Sequence, residues 1–195
     1  MAEAVISSPK RDHLMATAWR LFYRDGYRAV GIDTLLAEAG VAKMTLYNHF
    51  SSKDELIIAV LEKRDCELRA AISGQVDATT GSPADKLLAV FDWLETWFGS
   101  PDFNGCAFIR ALSEYPDTRH PIHQTAWRHK VAMQGALTQL CAQAGARDPA
   151  ALANTLSLLI DGSIVAAQAT GSTAPARAAR ETAATLLKLA VQNPA

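Results

Sequence analysis

Apolar positions along this chain recur every three or four residues, and alternating runs of the kind a half-buried strand needs are missing. Leu14, Ala18, Leu21 and Phe22 form the first such stripe. Ser8 as N-cap and Pro9 behind it open that helix, and Gly26 stops it. A short helix is predicted from about Ile32 to Ala39, ended by Gly40, and a second from about Ala42 to Phe50. Ser52 and Glu55 have capping-box spacing and precede a long helix carrying Leu56, Val60 and Leu61. That helix is expected to reach Ile72 to Gly74 and give way to the polar link GQVDATTG.

Ser82-Pro83 with Asp85 restarts the pattern. Leu87, Phe91, Leu94 and Phe98 make one stripe there, widened by Val90, Trp93 and Trp97. Further helices are predicted from about Cys106 to Tyr115, from His120-Pro121 to about Ala144, from Asp148-Pro149, and from about Pro175. The expectation is an all-α chain of nine helices. A head over 1–54 and a larger domain over 55–195 would be linked by the fourth helix, about 53–74.

The two short helices around Gly40 carry the densest chemistry. Two helices joined by a three- or four-residue turn containing glycine form a helix-turn-helix. Ala37 and Ala39 are small enough for a crossing helix to approach, Val41 fills the gap, and Leu46 and Phe50 at i, i+4 point inward. That leaves Lys43, Met44, Tyr47 and Asn48 outward, with Thr45 and His49 at the edges. Lysine and tyrosine can meet phosphates, asparagine can bond base edges, and methionine can touch a thymine methyl. No acidic residue falls between Gly40 and Lys53. Lys53 opens the following helix, whose first N–H groups can hold a phosphate. The face is therefore expected to meet double-stranded DNA.

The stretch GIDTLLAEAGVAKMTLYNHFSSKDEL, with LFYRDGYRAV before it, resembles the DNA-binding signature of the tetracycline-repressor (TetR) family of bacterial regulators. The resemblance implies a nine-helix homodimer that binds a palindromic operator and usually represses until a small molecule binds. It implies that Ala42, Lys43, Met44 and Thr45 face or flank the bases. Tyr47, His49 and Lys53 would touch the phosphate backbone, and Asn48 would lie near the groove floor. Gly31, Ala42 and Met44 depart from the family's common threonine, serine and glycine, and the last two changes alter the base-reading surface.

Charge and composition narrow the picture further. A formal net charge of −1 excludes a histone-like or tail-driven binder but leaves room for a local basic face. Cys66, Cys106 and Cys141 are far apart and odd in number, which fits a reducing cytoplasm better than a disulfide framework. The start MAEAVISSPKRDHL lacks the apolar core of a signal peptide. From Pro149 to Ala176 the sole charge is Asp161, but polar residues interrupt the apolar runs. That stretch is expected to be a helix buried in protein rather than in a membrane.

His120, His123 and Cys106 offer the alternative of a small helical enzyme or metal-binding protein. His123 and His129 are six apart and face different sides of a helix, so capping and surface roles are expected instead. No catalytic motif, metal or cofactor is predicted. Trp93, Trp97, Phe108 and Trp127 suggest an apolar cavity for a small effector among helices five to eight. Cys106 and Gln134 are candidate polar contacts there, as are Asn104 and His129. The last two helices, about 149–170 and 176–192, are expected to build the homodimer as a four-helix bundle. Leu152, Leu156, Leu159 and Ile160 form a stripe on one, and Ala179, Ala183, Leu186, Leu187 and Ala190 a stripe on the other.

Overall fold

The computed structural model describes residues 8–191. The first seven residues of the N-terminal segment and the final residue expected for the last helix lie outside that range. Nine α-helices follow one another among the described residues: α1 (Pro9–Asp25), α2 (Ile32–Ala39), α3 (Lys43–Tyr47), α4 (Lys53–Ala78), α5 (Pro83–Phe98), α6 (Ala107–Glu114), α7 (Pro121–Gln143), α8 (Pro149–Thr170) and α9 (Ala174–Ala190). The all-α fold expected from the periodicity is the one observed.

Two compact units divide the chain. One holds the chain up to Asp65 together with Ala107–Trp127, and the other holds Cys66–Cys106 together with the chain from Arg128 onward. Helices α4 and α7 run from one unit into the other.

The first unit closes around Leu14, Leu21, Phe22, Tyr27, Leu35, Leu46, Phe50, Leu56, Ile57 and Leu61, all 2% exposed or less. Ser8 caps α1 by accepting the Arg11 N–H. At the end of α2, Gly40 takes the left-handed φ of 62°, and Val41 N–H returns to the Leu36 carbonyl. A Cβ is strained in that conformation, which is why glycine stands there.

Helix α6 also belongs to this unit. The Glu114 carboxylate accepts the backbone N–H groups of Tyr27 at 3.1 Å and Arg28 at 2.7 Å. Arg110 donates to the Phe22 and Tyr23 carbonyls, and the Tyr27 hydroxyl donates to the Ala107 carbonyl. These bonds add partners to the carbonyls at the end of α1, where Phe22 also accepts the Gly26 N–H, and satisfy the N–H groups of the turn after it.

In the second unit, α9 packs on α5 and α8, and α5 also meets α8. Ser82 and Asp85 form the expected capping box at the start of α5. Ala176, Ala179, Ala183 and Leu187 form the inward stripe of α9, while Arg180 pairs with Asp92 and Arg177 with Glu95, both at 2.6 Å. Arg147 donates to the Leu189 carbonyl, and its N–H reaches the Ala190 carbonyl, closing the end of α9.

Several boundaries differ from the sequence reading. Helix α3 ends at Tyr47 rather than Phe50, because Asn48, His49 and Phe50 close it as a turn with N–H bonds to Met44 and Leu46. Glu55 N–H donates to the Ser52 hydroxyl as expected, but the Glu55 carboxylate turns to the Ser51 N–H and hydroxyl, one residue earlier. Helix α4 passes through Gly74 to Ala78. Buried Val76 and the Ser73–Asp77 bond at i, i+4 hold that extra turn helical, leaving only the end of GQVDATTG as link. Of the α9 alanines expected at the dimer interface, Ala179 and Ala183 are buried inside the subunit, where they allow the close approach of neighbouring helices, and Ala190 is half-buried.

Candidate nucleic-acid interface

Helix α3 is only five residues long, so its position depends on what grips it. Leu46 is fully buried and Phe50 is 2% exposed, so the spacing that points them inward fixes the opposite face outward. Lys43, Met44, Tyr47 and Asn48 are exposed, as is Ala42 before the helix, while Thr45 and His49 are half-buried at its edges. This is the outward set the sequence predicted.

The start of α1 supports the far end of α3, which sequence reasoning missed. The Arg11 guanidinium lies 5.0 Å over the Phe50 ring, and Ser8 Oγ comes within 3.4 Å of His49 Nε2. His13 Nε2 donates to the Ala39 carbonyl at 3.0 Å, tying α1 to the end of α2. The nearest sequence signal was the basic Lys10-Arg11 pair beside the Ser8 cap, and it does not reveal a contact with Phe50.

Lys53 opens α4 half-buried, and that burial lowers its ammonium pKa from the ordinary lysine value against the pull of Asp54 and Glu114. The hydroxyl and N–H of Ser51 hold the Glu55 carboxyl below its usual range, so a negative charge sits in the first turn of the same helix. The positive character of this end therefore belongs to α3 and the turn after it more than to α4.

The histidines of HPIH have structural duties. His120 Nδ1 accepts the Ile122 N–H at the start of α7, its Nε2 lies 3.5 Å from Asp54, and its ring rests 4.8 Å from that of Tyr115. His123 Nδ1 donates to the Tyr115 carbonyl at 2.8 Å. Among the described residues no group of three or more His, Cys, Asp or Glu side chains is arranged to hold a metal ion.

The effector candidates fall into both units. In the second, Trp93 and Trp97 have ring centroids 5.3 Å apart, and Trp97 meets Phe103 edge-on at 5.0 Å. Phe103 was not among the residues picked from the sequence, because it lies in a loop where periodicity gives no signal. Cys106 is buried in this unit, with Gln134 and Asn104 half-buried; His129 is buried and Gln168 donates to the Asn104 carbonyl. Phe108 is core of the first unit at 1% exposed, whereas Trp127 is a surface residue at 56%.

Residues 14–60 match the family described as bacterial regulatory proteins, tetR family, and residues 83–183 match the tetracyclin repressor-like C-terminal domain. The chain belongs to the TetR family. TetR membership makes it a DNA-binding transcription regulator and not an enzyme. A TetR-family transcriptional regulator from Streptomyces coelicolor is similar at 34% identity and a TM-score of 0.89, over 94% of this chain and 96% of that one. The reduced form of NemR from Escherichia coli shares the fold at 22% identity and a TM-score of 0.82, over 96% of this chain and 100% of that one.

Among curated relatives, the transcriptional activator FasR of Mycolicibacterium smegmatis is 37% identical over 44% of this chain and 41% of its own length. The transcriptional repressor NemR of Escherichia coli is 27% identical over 55% of this chain and 54% of its own. The matched stretch thus spans about half the length of these TetR relatives, or less.

Proposed function

We propose that this chain is a cytoplasmic repressor that binds a palindromic operator as a homodimer and leaves it when a small, largely apolar effector binds. The observation that carries the reading is the division of α3. Leu46 and Phe50 anchor it, while Lys43, Met44, Tyr47 and Asn48 are exposed in a stretch with no acidic residue between Gly40 and Lys53. On this reading Ala42, Lys43, Met44 and Thr45 meet or flank base edges, and the Lys43 ammonium also reaches a flanking phosphate. Tyr47, His49 and Lys53 meet phosphates, and Asn48 approaches the groove floor.

Helix α8 supports the homodimer. It is apolar enough over an 18-residue window to pass for a membrane span, at a mean hydropathy of 1.5, yet only 33% of that window is buried within one subunit. Leu152, Leu156 and Ile164 face inward. The outward stripe is Ala151, Thr155, Leu158, Gly162, Val165 and Ala169, alternating steps of four and three. Such a stripe of small and apolar residues suits a neighbouring helix with close approach at Gly162. Helix α9 adds Ala178, Thr182, Thr185 and Leu189 in the same rhythm. A twofold axis through such a bundle would set the two α3 helices about one DNA turn, roughly 34–36 Å, apart in the bound form.

The effector would lodge beside Trp93, Trp97 and Phe103, with Cys106 and Gln134 as polar or soft contacts. Helix α4 is one continuous helix from Lys53 next to α3 to Ala78, and a shift of its far end would change the spacing of the two heads.

The test is operator binding by Lys43→Ala and Tyr47→Ala across a salt series. Both should weaken binding while leaving the far-ultraviolet spectrum unchanged, and the lysine variant should lower the salt slope by about one unit. Normal binding by the lysine variant at every salt concentration would refute the assignment of the DNA-facing side. Effector coupling is read by tryptophan fluorescence with and without operator, since operator must weaken effector binding by the same factor as the reverse, typically about 5–150-fold.

A further inference from the structure

We infer that Met44 makes α3 a reader of pyrimidine C5-methyl groups, so that a thymine methyl at one position of each operator half-site contributes to affinity. This rests on the reading of α3 as the element that enters the major groove. Among the described residues up to Asp65, two large apolar or aromatic side chains are exposed, Met44 at 68% and Tyr47 at 42%. Both lie on α3, at i and i+3, so they share a face.

The two exposures have different explanations. Tyr47 carries a hydroxyl that can bond water or a phosphate. Met44 carries only a thioether, a weak acceptor, and Leu46 with Phe50 already seals the core beneath α3 without it. Around Met44, Ala42 brings only a methyl group and Lys43 brings the one cation of the helix. In the first turn of α3 the hydrogen-bonding side chains are Lys43 and the half-buried Thr45, and the exposed apolar one is Met44.

The apolar feature of base edges in the major groove is the C5-methyl of thymine, and the minor groove has no counterpart. An unbranched, polarizable methionine side chain adapts readily to such a group. Covering one methyl is worth about fourfold in affinity, and one in each half-site about sixteenfold. Thymine and 5-methylcytosine carry the same group, so the inference concerns the methyl rather than the base.

The experiment starts by enriching a duplex from a random library with the full chain. Each thymine of that duplex is then replaced by uracil, as symmetric pairs, and binding is measured by fluorescence anisotropy. The wild-type chain should lose about sixteenfold at one such pair. Met44→Ala should bind the thymine and uracil duplexes equally, whereas Lys43→Ala should keep the uracil penalty. Met44→Leu, which retains an apolar side chain, should keep part of it. With cytosine at that pair, adding the 5-methyl group should recover affinity. An undiminished uracil penalty in Met44→Ala, or no thymine sensitive to uracil in the wild type, overturns the inference. Failure to enrich any sequence overturns the operator reading itself, and this inference with it.

Discussion

Glu114 is the residue whose removal tests the architecture of the first unit most directly. Its carboxylate accepts two backbone N–H groups from the turn after α1, at 3.1 and 2.7 Å. Hydrogen bonds to a charged acceptor are worth about 1.5–3 kcal/mol each. The Arg28 bond is exposed and the Tyr27 bond only part-buried, so the pair together should contribute about 2–3 kcal/mol rather than the full sum. Glutamine at 114 is no substitute, because its amide offers one acceptor oxygen and turns a donor towards the second N–H.

Both Glu114→Ala and Glu114→Gln should therefore melt about 4–12 °C below wild type, measured by circular dichroism at fixed protein concentration. Gly26 supplies a cross-check. A Cβ there would lie 2.8 Å from Glu114 Oε1, and its φ of +96° disfavours any side chain. Gly26→Ala should be destabilising, and part of that loss should vanish in the Glu114→Ala background, where the oxygen is gone. A Glu114→Ala protein that melts within about 1 °C of wild type would show that the carboxylate contributes nothing net, and the reasoning would fail.

Other expectations are shorter to state. Leu158→Asp places a charge in the outward stripe of α8, where Leu158 is 68% exposed in the single subunit; light scattering should find a monomer of normal helix content at micromolar concentration, and a persisting dimer would refute the interface. Burial pushes the Cys141 thiol up to about 11, whereas Cys66 is exposed; Ellman's reagent at neutral pH should label Cys66 in the native protein and reach Cys141 only after unfolding. Partner groups hold the carboxyls of Glu55, Asp85 and Asp117 below their ordinary values, through Ser51, Ser82 and Arg119 in turn. Carboxyls lowered by folding favour the native state above about pH 4 and lose that contribution as the pH falls through their folded values. The melting temperature should therefore drop in acid below about pH 4, and a flat profile from pH 6 to 3 would contradict it.

The helices were legible because local rules and tertiary packing agree at their ends. Ser8-Pro9, Ser82-Asp85 and Asp148-Pro149 cap α1, α5 and α8 as their spacing requires. Gly74 misled because glycine costs a helix interior only about 1 kcal/mol, and the burial of Val76 two residues further on outweighs it. The outward face of α3 was legible because Leu46 and Phe50 fix it by spacing alone. Arg11 on Phe50 and Ser8 beside His49 were not, since such contacts across the fold leave no mark in local periodicity. The stripe of α8 was harder for a different reason. A helix apolar all round shows no preferred face until its neighbours take one, and only then does the Leu158 side emerge as the uncovered one.

The membership of α6 in the first unit has a consequence for synthesis. The chain up to Asp65 includes α1, α2 and α3, yet its Tyr27 and Arg28 N–H groups and the carbonyls of Phe22 and Tyr23 find Glu114 and Arg110 only much later in the chain. At about 5–20 residues per second, a ribosome leaves the head without those partners for several seconds after α3 has emerged. During that interval the turn after α1 is held by local bonds alone. A transcript broken between α4 and α6 would yield a fragment that holds α1, α2 and α3 but lacks the side chains that secure the turn after α1, an easy target for proteolysis.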